Sequence, residues 1–138
     1  MFKKIIFGLS LWLFATTLSF GANFDDGYSA IEKGDYKTAF IIFEDLAKKG
    51  DIEAQYNLGL MYDNGYGVKQ DYKKAFEWYE KAATQGIAEA QNNLGVMYDD
   101  GYGVRQDKKI AKELYGKACD GGFQIACDNY KILNQEGY

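Results

Sequence analysis

The residues that could do chemistry here are few, and each can be weighed separately. Cys119 and Cys127 are the only cysteines, with seven residues between them. A catalytic dithiol needs the close geometry of a C-x-x-C pair, which this spacing lacks. The chain has no His, so the side chain most used for general acid/base work and for zinc is missing. Ser29 is the one serine outside the first 21 residues, and it leads into Ala-Ile-Glu instead of an S-x-x-K pattern. The acidic residues do not cluster at the loop spacing a cation needs. No metal and no cofactor is therefore expected. Asn64-Gly65-Tyr66-Gly67-Val68 and Asp100-Gly101-Tyr102-Gly103-Val104 are glycine-rich, as phosphate cradles are. Such cradles follow a strand and usually carry Lys-Ser/Thr. Both loops instead join helical stretches and lack those residues, so they read as turns in which Gly permits positive φ. Val68 and Val104 would tuck back as apolar anchors.

Composition sets the frame for these residues. The 138 residues are 47% hydrophobic and 26% charged, an ordinary globular composition with room for one domain. The formal charge is −4, and without Lys3 and Lys4 it becomes 14 basic against 20 acidic residues, or −6. An acidic surface argues against nucleic acid and anionic membrane as partners. Met1 to Gly21 opens on Lys3-Lys4, runs through an apolar core from Ile5 to Phe14, and ends on small residues at Ser19-Phe20-Gly21. This is the layout of an export signal cleaved before Ala22, with cleavage after Ser19 as the other position. The apolar run is short for a spanning helix, and no Cys at the cleavage point offers a lipid anchor. The mature chain is expected to carry no stable membrane anchor. In an oxidising compartment Cys119, ending one helix, and Cys127, in the next, are expected to pair.

The elements that must position everything else come from a repeat. Asp51–Gly86 recurs as Ile87–Gly122, with 22 of 36 positions identical. A period of this size with alternating helical stretches indicates a helical repeat array. In the first helix of each copy Ala54, Leu58, Met61 and Tyr62, then Ala90, Leu94, Met97 and Tyr98, fall on one side. Gly59 and Gly95 sit mid-helix, where Gly costs about 1 kcal/mol relative to Ala, so a close helix approach is expected there. Asp71 and Asp107 suit the N-caps of the second helices. Ala75, Tyr79 and Ala82, repeated as Ala111, Tyr115 and Ala118, make the inward stripes. Trp78 alternates with Leu114, which marks a packing position. Before the repeats, helices are expected over Phe24–Lys33 and Tyr36–Lys49, the second with an apolar face of Ala39, Phe40, Phe43, Leu46 and Ala47. The organisation expected is a signal over 1–21, a capping hairpin over 22–50, repeats over 51–86 and 87–122, and a C-terminal capping helix and tail over 123–138, with the helix spanning Phe123–Gln135.

The motifs A-x-x-x-L-G-x-x-Y, G-x-G-V, D-x-x-K-A, W-Y and K-A-A-x-x-G, read from Ala54 to Gly86, resemble the Sel-1-like repeat, a relative of the tetratricopeptide repeat. The second copy departs from them at Ile110 and Leu114. The resemblance implies an all-α fold, a right-handed α/α superhelical solenoid of helix hairpins serving as a scaffold for partner proteins. The C-x7-C pair is also similar to that of the secreted cysteine-rich repeat proteins first described in Helicobacter. That likeness implies a bacterial periplasmic or secreted protein and, as a second expectation, β-lactamase or penicillin-binding activity. The residues supply neither a serine nor a zinc mechanism for it.

Transferring tetratricopeptide geometry places partner binding on the concave row of first helices. That row is Glu53, Tyr56, Leu60, Asp63 and Asn64, then Glu89, Asn92, Val96, Asp99 and Asp100. It is acidic with apolar patches, suited to a protein or extended peptide carrying Lys or Arg. Tyr66 and Tyr102 at the loop tips are expected as rim contacts. The oligomeric state stays open.

Overall fold

In the computed structural model, which describes residues 21–138, the 36-residue period becomes a train of helices with no strand among those residues. The expected export signal at 1–21 lies, but for Gly21, outside the described residues. In chain order the helices are α1 (Phe24–Glu32), α2 (Tyr36–Lys48), α3 (Ile52–Asn64), α4 (Tyr72–Thr84), α5 (Ala88–Asp100), α6 (Lys108–Asp120) and α7 (Gln124–Gln135). Each packs mainly on its neighbours in sequence, as a helical repeat array requires. Three expected boundaries move inward by one residue, because Lys33, Lys49 and Phe123 serve as caps.

Local chemistry starts and stops these helices where the sequence placed the signals. Asp71 accepts the Lys74 amide, and Asp107 accepts those of Lys109 and Ile110. Each satisfies orphan donors of a first turn. At the far ends of α3 and α5, Gly65 and Gly101 take left-handed φ values of 70° and 76°.

The core follows from the inward stripes. Ala39, Ala54, Ala75, Ala82, Ala90, Ala111 and Ala118 are buried with Phe43, Leu58, Tyr79 and Tyr115, so small residues let the backbones close on a few rings. The mid-helix glycines show where. A Cβ on Gly59 would stand 2.6 Å from the Tyr79 ring, and one on Gly95 would stand 2.7 Å from Tyr115. The first hairpin has the same contact, with Gly27 at 2.6 Å from Phe43.

Junctions between units repeat as well. Tyr36 stacks on Tyr66 and Tyr72 on Tyr102, both at 5.0 Å. Phe40 meets Tyr62 edge-on at 5.4 Å, and Phe76 meets Tyr98 at 5.5 Å. Gln55 and Gln91 donate to the carbonyls of Ala47 and Ala83. At the α6–α7 junction every one of these pairs changes: Lys108 lies over Tyr138, Lys112 donates to Asn134, and Cys119 is bonded to Cys127 with a Cα–Cα distance of 4.6 Å.

Candidate partner-binding face

The first helices hold a distinctive charge pattern. α1, α3 and α5 contain Asp and Glu but no Lys or Arg, whereas α2, α4 and α6 carry lysines along their lengths. The repeat enforces this segregation, since each first helix contributes the same register to one side of the array.

Polar side chains link these helices in file. Tyr28 and Asn57 share a hydrogen bond of 3.3–3.4 Å between α1 and α3, and the Asn57 amide also donates to the Glu53 carbonyl at 2.9 Å. Asn129 of α7 donates to Asn92 of α5 at 3.2 Å. Tyr56 is half-buried against Tyr79, with ring centroids 6.0 Å apart.

The expected binding residues therefore divide into two groups. Glu53, Asn64, Glu89 and Asp100 are exposed, and Leu60 and Val96 are half-buried. The other four take part in internal contacts. Asn92 is only 6% exposed, held by α7, so it is a packing residue and not an open contact. Tyr56 is half-buried, with its ring tilted against that of Tyr79. Asp63 accepts the Tyr79 hydroxyl at 3.0 Å; Asp99 accepts the Tyr115 hydroxyl at 3.4 Å and the Lys108 ammonium at 2.7 Å. Tyr66 and Tyr102 keep 46% and 45% of their surface, but each lays one face on the preceding unit.

Asp63 carries a pH signature. Burial raises its carboxyl above the ordinary 3.8, and the hydrogen bond from Tyr79 pulls it back part of the way. Burial, then the Asp63 charge, also pushes the Tyr79 phenol far up, so the hydroxyl stays protonated and keeps donating. In the folded protein Asp63 holds its proton to higher pH than in the unfolded chain. Its contribution to stability is thus present below 3.8 and is lost as pH rises through the raised folded value. Tyr79→Phe removes the one influence that lowers this pKa. A ¹³C titration of the Asp63 carboxyl is expected to show a higher midpoint in the variant than in the wild type. An unchanged or lower midpoint would contradict the assignment.

A cavity of about 150 Å³ on this face is lined by Tyr28, Glu53, Tyr56, Asn57, Ile87 and Glu89. Two larger grooves, of 520 and 470 Å³, involve the second helices α4 and α6. They hold both signs of charge, Glu80 with Lys81 in one and Glu80 with Lys117 in the other, and they follow the Gln55 and Gln91 junctions. Ser29 is half-buried in α1. Among the described residues no three His, Cys, Asp or Glu side chains gather to hold a metal, and no helix is long and apolar enough to cross a membrane.

Comparison with known proteins gives these features a setting. The Sel1 repeat family matches residues 52–87 and 88–123. The chain is similar to a Sel1 repeat protein of Oxalobacter formigenes, at 32% identity and a TM-score of 0.79 over 83% of this chain and 47% of that one. It is also similar to a protective antigen of uropathogenic Escherichia coli displaying an SLR fold, at 32% identity and a TM-score of 0.69 over 83% and 30%. Cysteine rich protein B of Helicobacter pylori aligns at 26% identity and a TM-score of 0.67, over 77% and 81%. The chain thus spans about half of the Oxalobacter protein and under a third of the E. coli antigen. No individual curated protein sequence matches it.

Proposed function

Because the chain belongs to the Sel1 repeat family, a scaffold suited to protein–protein interaction, we propose that it holds a protein or extended peptide partner against the face formed by α1, α3, α5 and α7. The observation that carries this reading is the charge of that face: three first helices without a single Lys or Arg. Exposed Glu53 and Glu89 stand on it at the same register, and exposed Asp100 stands where the first copy has Asn64. Such a field steers and orients a basic partner, and it repels anionic ones, nucleic acid included. We place the protein in the periplasm or outside a bacterial cell. The Cys119–Cys127 bond and the likeness to a cysteine-rich protein support that location.

The test uses charges that make no internal bond. Glu53→Lys, Glu89→Lys and Asp100→Lys together should keep the helical circular dichroism and lower the melting temperature by only several degrees, since Glu53 and Glu89 lie in the first turns of α3 and α5, where each acidic charge contributes about 0.3–1 kcal/mol. Crosslinked capture from the exported fraction should lose, in this variant, the partner that the wild type retains. Equal capture by both would remove this face as the binding surface. Asp63 and Asp99 are unsuited to the experiment, because reversing them would break the bonds to Tyr79 and Tyr115.

A further inference from the structure

We infer that the cavity between α1, α3 and α5 receives a single cationic side chain, arginine before lysine, from an extended partner segment. This rests on the reading that the first-helix face holds a partner, and it adds what that partner must present. At about 150 Å³ the cavity is smaller than the ~300–1,000 Å³ of small-molecule sites, and it suits one side-chain head. Its chemistry selects that head. Glu53 and Glu89 stand exposed on its wall, and among the described residues neither is ion-paired. Tyr28 and Tyr56 supply aromatic surface beside them. A planar guanidinium can meet carboxylates and lie on an aromatic ring at once, whereas an ammonium acts as a point charge.

The walls are in place before any ligand arrives. Tyr28 is tied to Asn57, Asn57 to the backbone of Glu53, and Tyr56 leans on Tyr79. The aromatic walls are therefore ordered in advance, and binding has to order mainly the two glutamate side chains.

The repeat itself supplies a control. One unit on, at the α5–α7 junction, Asn92 replaces Tyr56 and Ile125 replaces Glu89, while Asn93 and the buried Ala90 keep the identities of Asn57 and Ala54. The fold thus closes a junction without the tyrosine and the second glutamate. Tyr56 also packs on Tyr79 and the core, so the second glutamate is the residue that packing leaves unexplained at the first site. The same shift places Ile125, 58% exposed, where a glutamate stood. An apolar residue a few positions from the arginine in the same extended segment can then lie on Ile125.

The experiment titrates the full mature chain, ¹⁵N-labelled, with the peptide acetyl-Ser-Gly-Arg-Ser-Gly-Leu-Gly-amide, and with the same peptide carrying citrulline for arginine. Citrulline keeps the shape and removes the charge. Saturable shifts are expected at the amides of residues 53–57 and 87–89, with binding weakened roughly tenfold or more by citrulline and by Glu53→Gln with Glu89→Gln, and weakening further with salt. Equal binding of both peptides, equal binding by the double variant, or no saturable shift at millimolar peptide would each overturn the proposal. The broader reading fails separately. If the three-lysine variant loses its captured partner while Glu53→Gln with Glu89→Gln keeps it, the face stands and the cationic receptor does not.

Discussion

Gly67→Ala is expected to destabilise the array by on the order of 3 kcal/mol, far more than Gly65→Ala two residues earlier. Both glycines have left-handed φ, 68° and 70°, so any L residue at either position bears a cost of about 1–2 kcal/mol. Their surroundings differ. A Cβ on Gly65 would meet its nearest atom at 3.4 Å, close to ordinary contact. On Gly67 it would lie 2.1 Å from the carbonyl oxygen of Tyr36 and 2.5 Å from that carbonyl carbon, which are backbone atoms in the first turn of α2. Backbone cannot swing aside as a side-chain end can, so the loop would have to lift. Lifting it also parts the Tyr36–Tyr66 stack. In an array held by nearest neighbours the damage stays at that junction. Thermal unfolding should begin roughly 10 °C lower, and hydrogen exchange should show α1 and α2 losing protection before α5 and α6. Comparable losses for the two alanine variants, or uniform loss along the chain, would refute the account.

The twin of this contact, Gly103 against the Tyr72 carbonyl at 2.5 Å, shows why the architecture was legible in the sequence. Two near-copies must make the same contacts, so each identical letter acts as evidence for its partner. Ala54 with Ala90, Leu58 with Leu94, and Asp71 with Asp107 all fall where the periodicity put them. Gly27 escaped because the short turn at Gly34-Asp35 brings it four residues short of the period from Gly59. The face was harder to read. Row geometry assigns Asp63 and Asp99 to solvent, but it cannot show that a carboxylate reaches a hydroxyl 16 residues further on. A signal for that bond was present. Asp and Tyr occur together in both full copies, and in the first hairpin both are missing, with Ile31 and Phe43 at the matching sites. Asn92 was hidden for the opposite reason: the copies differ there, and a Tyr-to-Asn change reads as a surface position until α7 is seen to cover it.

Removing the disulfide with Cys119→Ser and Cys127→Ser is expected to cost about 2–3 kcal/mol, and nearly all of it at α7. Closing so short a loop limits the unfolded chain, which sets the magnitude. The location follows from what the α6–α7 junction lacks. Upstream junctions have a stacked tyrosine pair, an edge-on aromatic pair and a glutamine donating to a carbonyl. Here lysines replace the α6 aromatic of each pair and Asn134 replaces the second tyrosine, and the large buried side chains are Tyr115 and Leu133, with Ala111, Ala118 and Ala126 beside them. Solvent-screened lysine contacts hold a junction less firmly than packed aromatic rings do. The covalent bond occupies the site of the missing glutamine contact and offsets the weaker packing. Without it, exchange should accelerate across Gln124–Gln135 while α3 and α4 keep their protection. Cys119→Ala with Cys127→Gln restores the pair used at both earlier junctions, and one such hydrogen bond should recover about 1 kcal/mol. Unchanged protection of α7 in the serine variant would show that packing alone holds the last helix, and that the bond serves some other end.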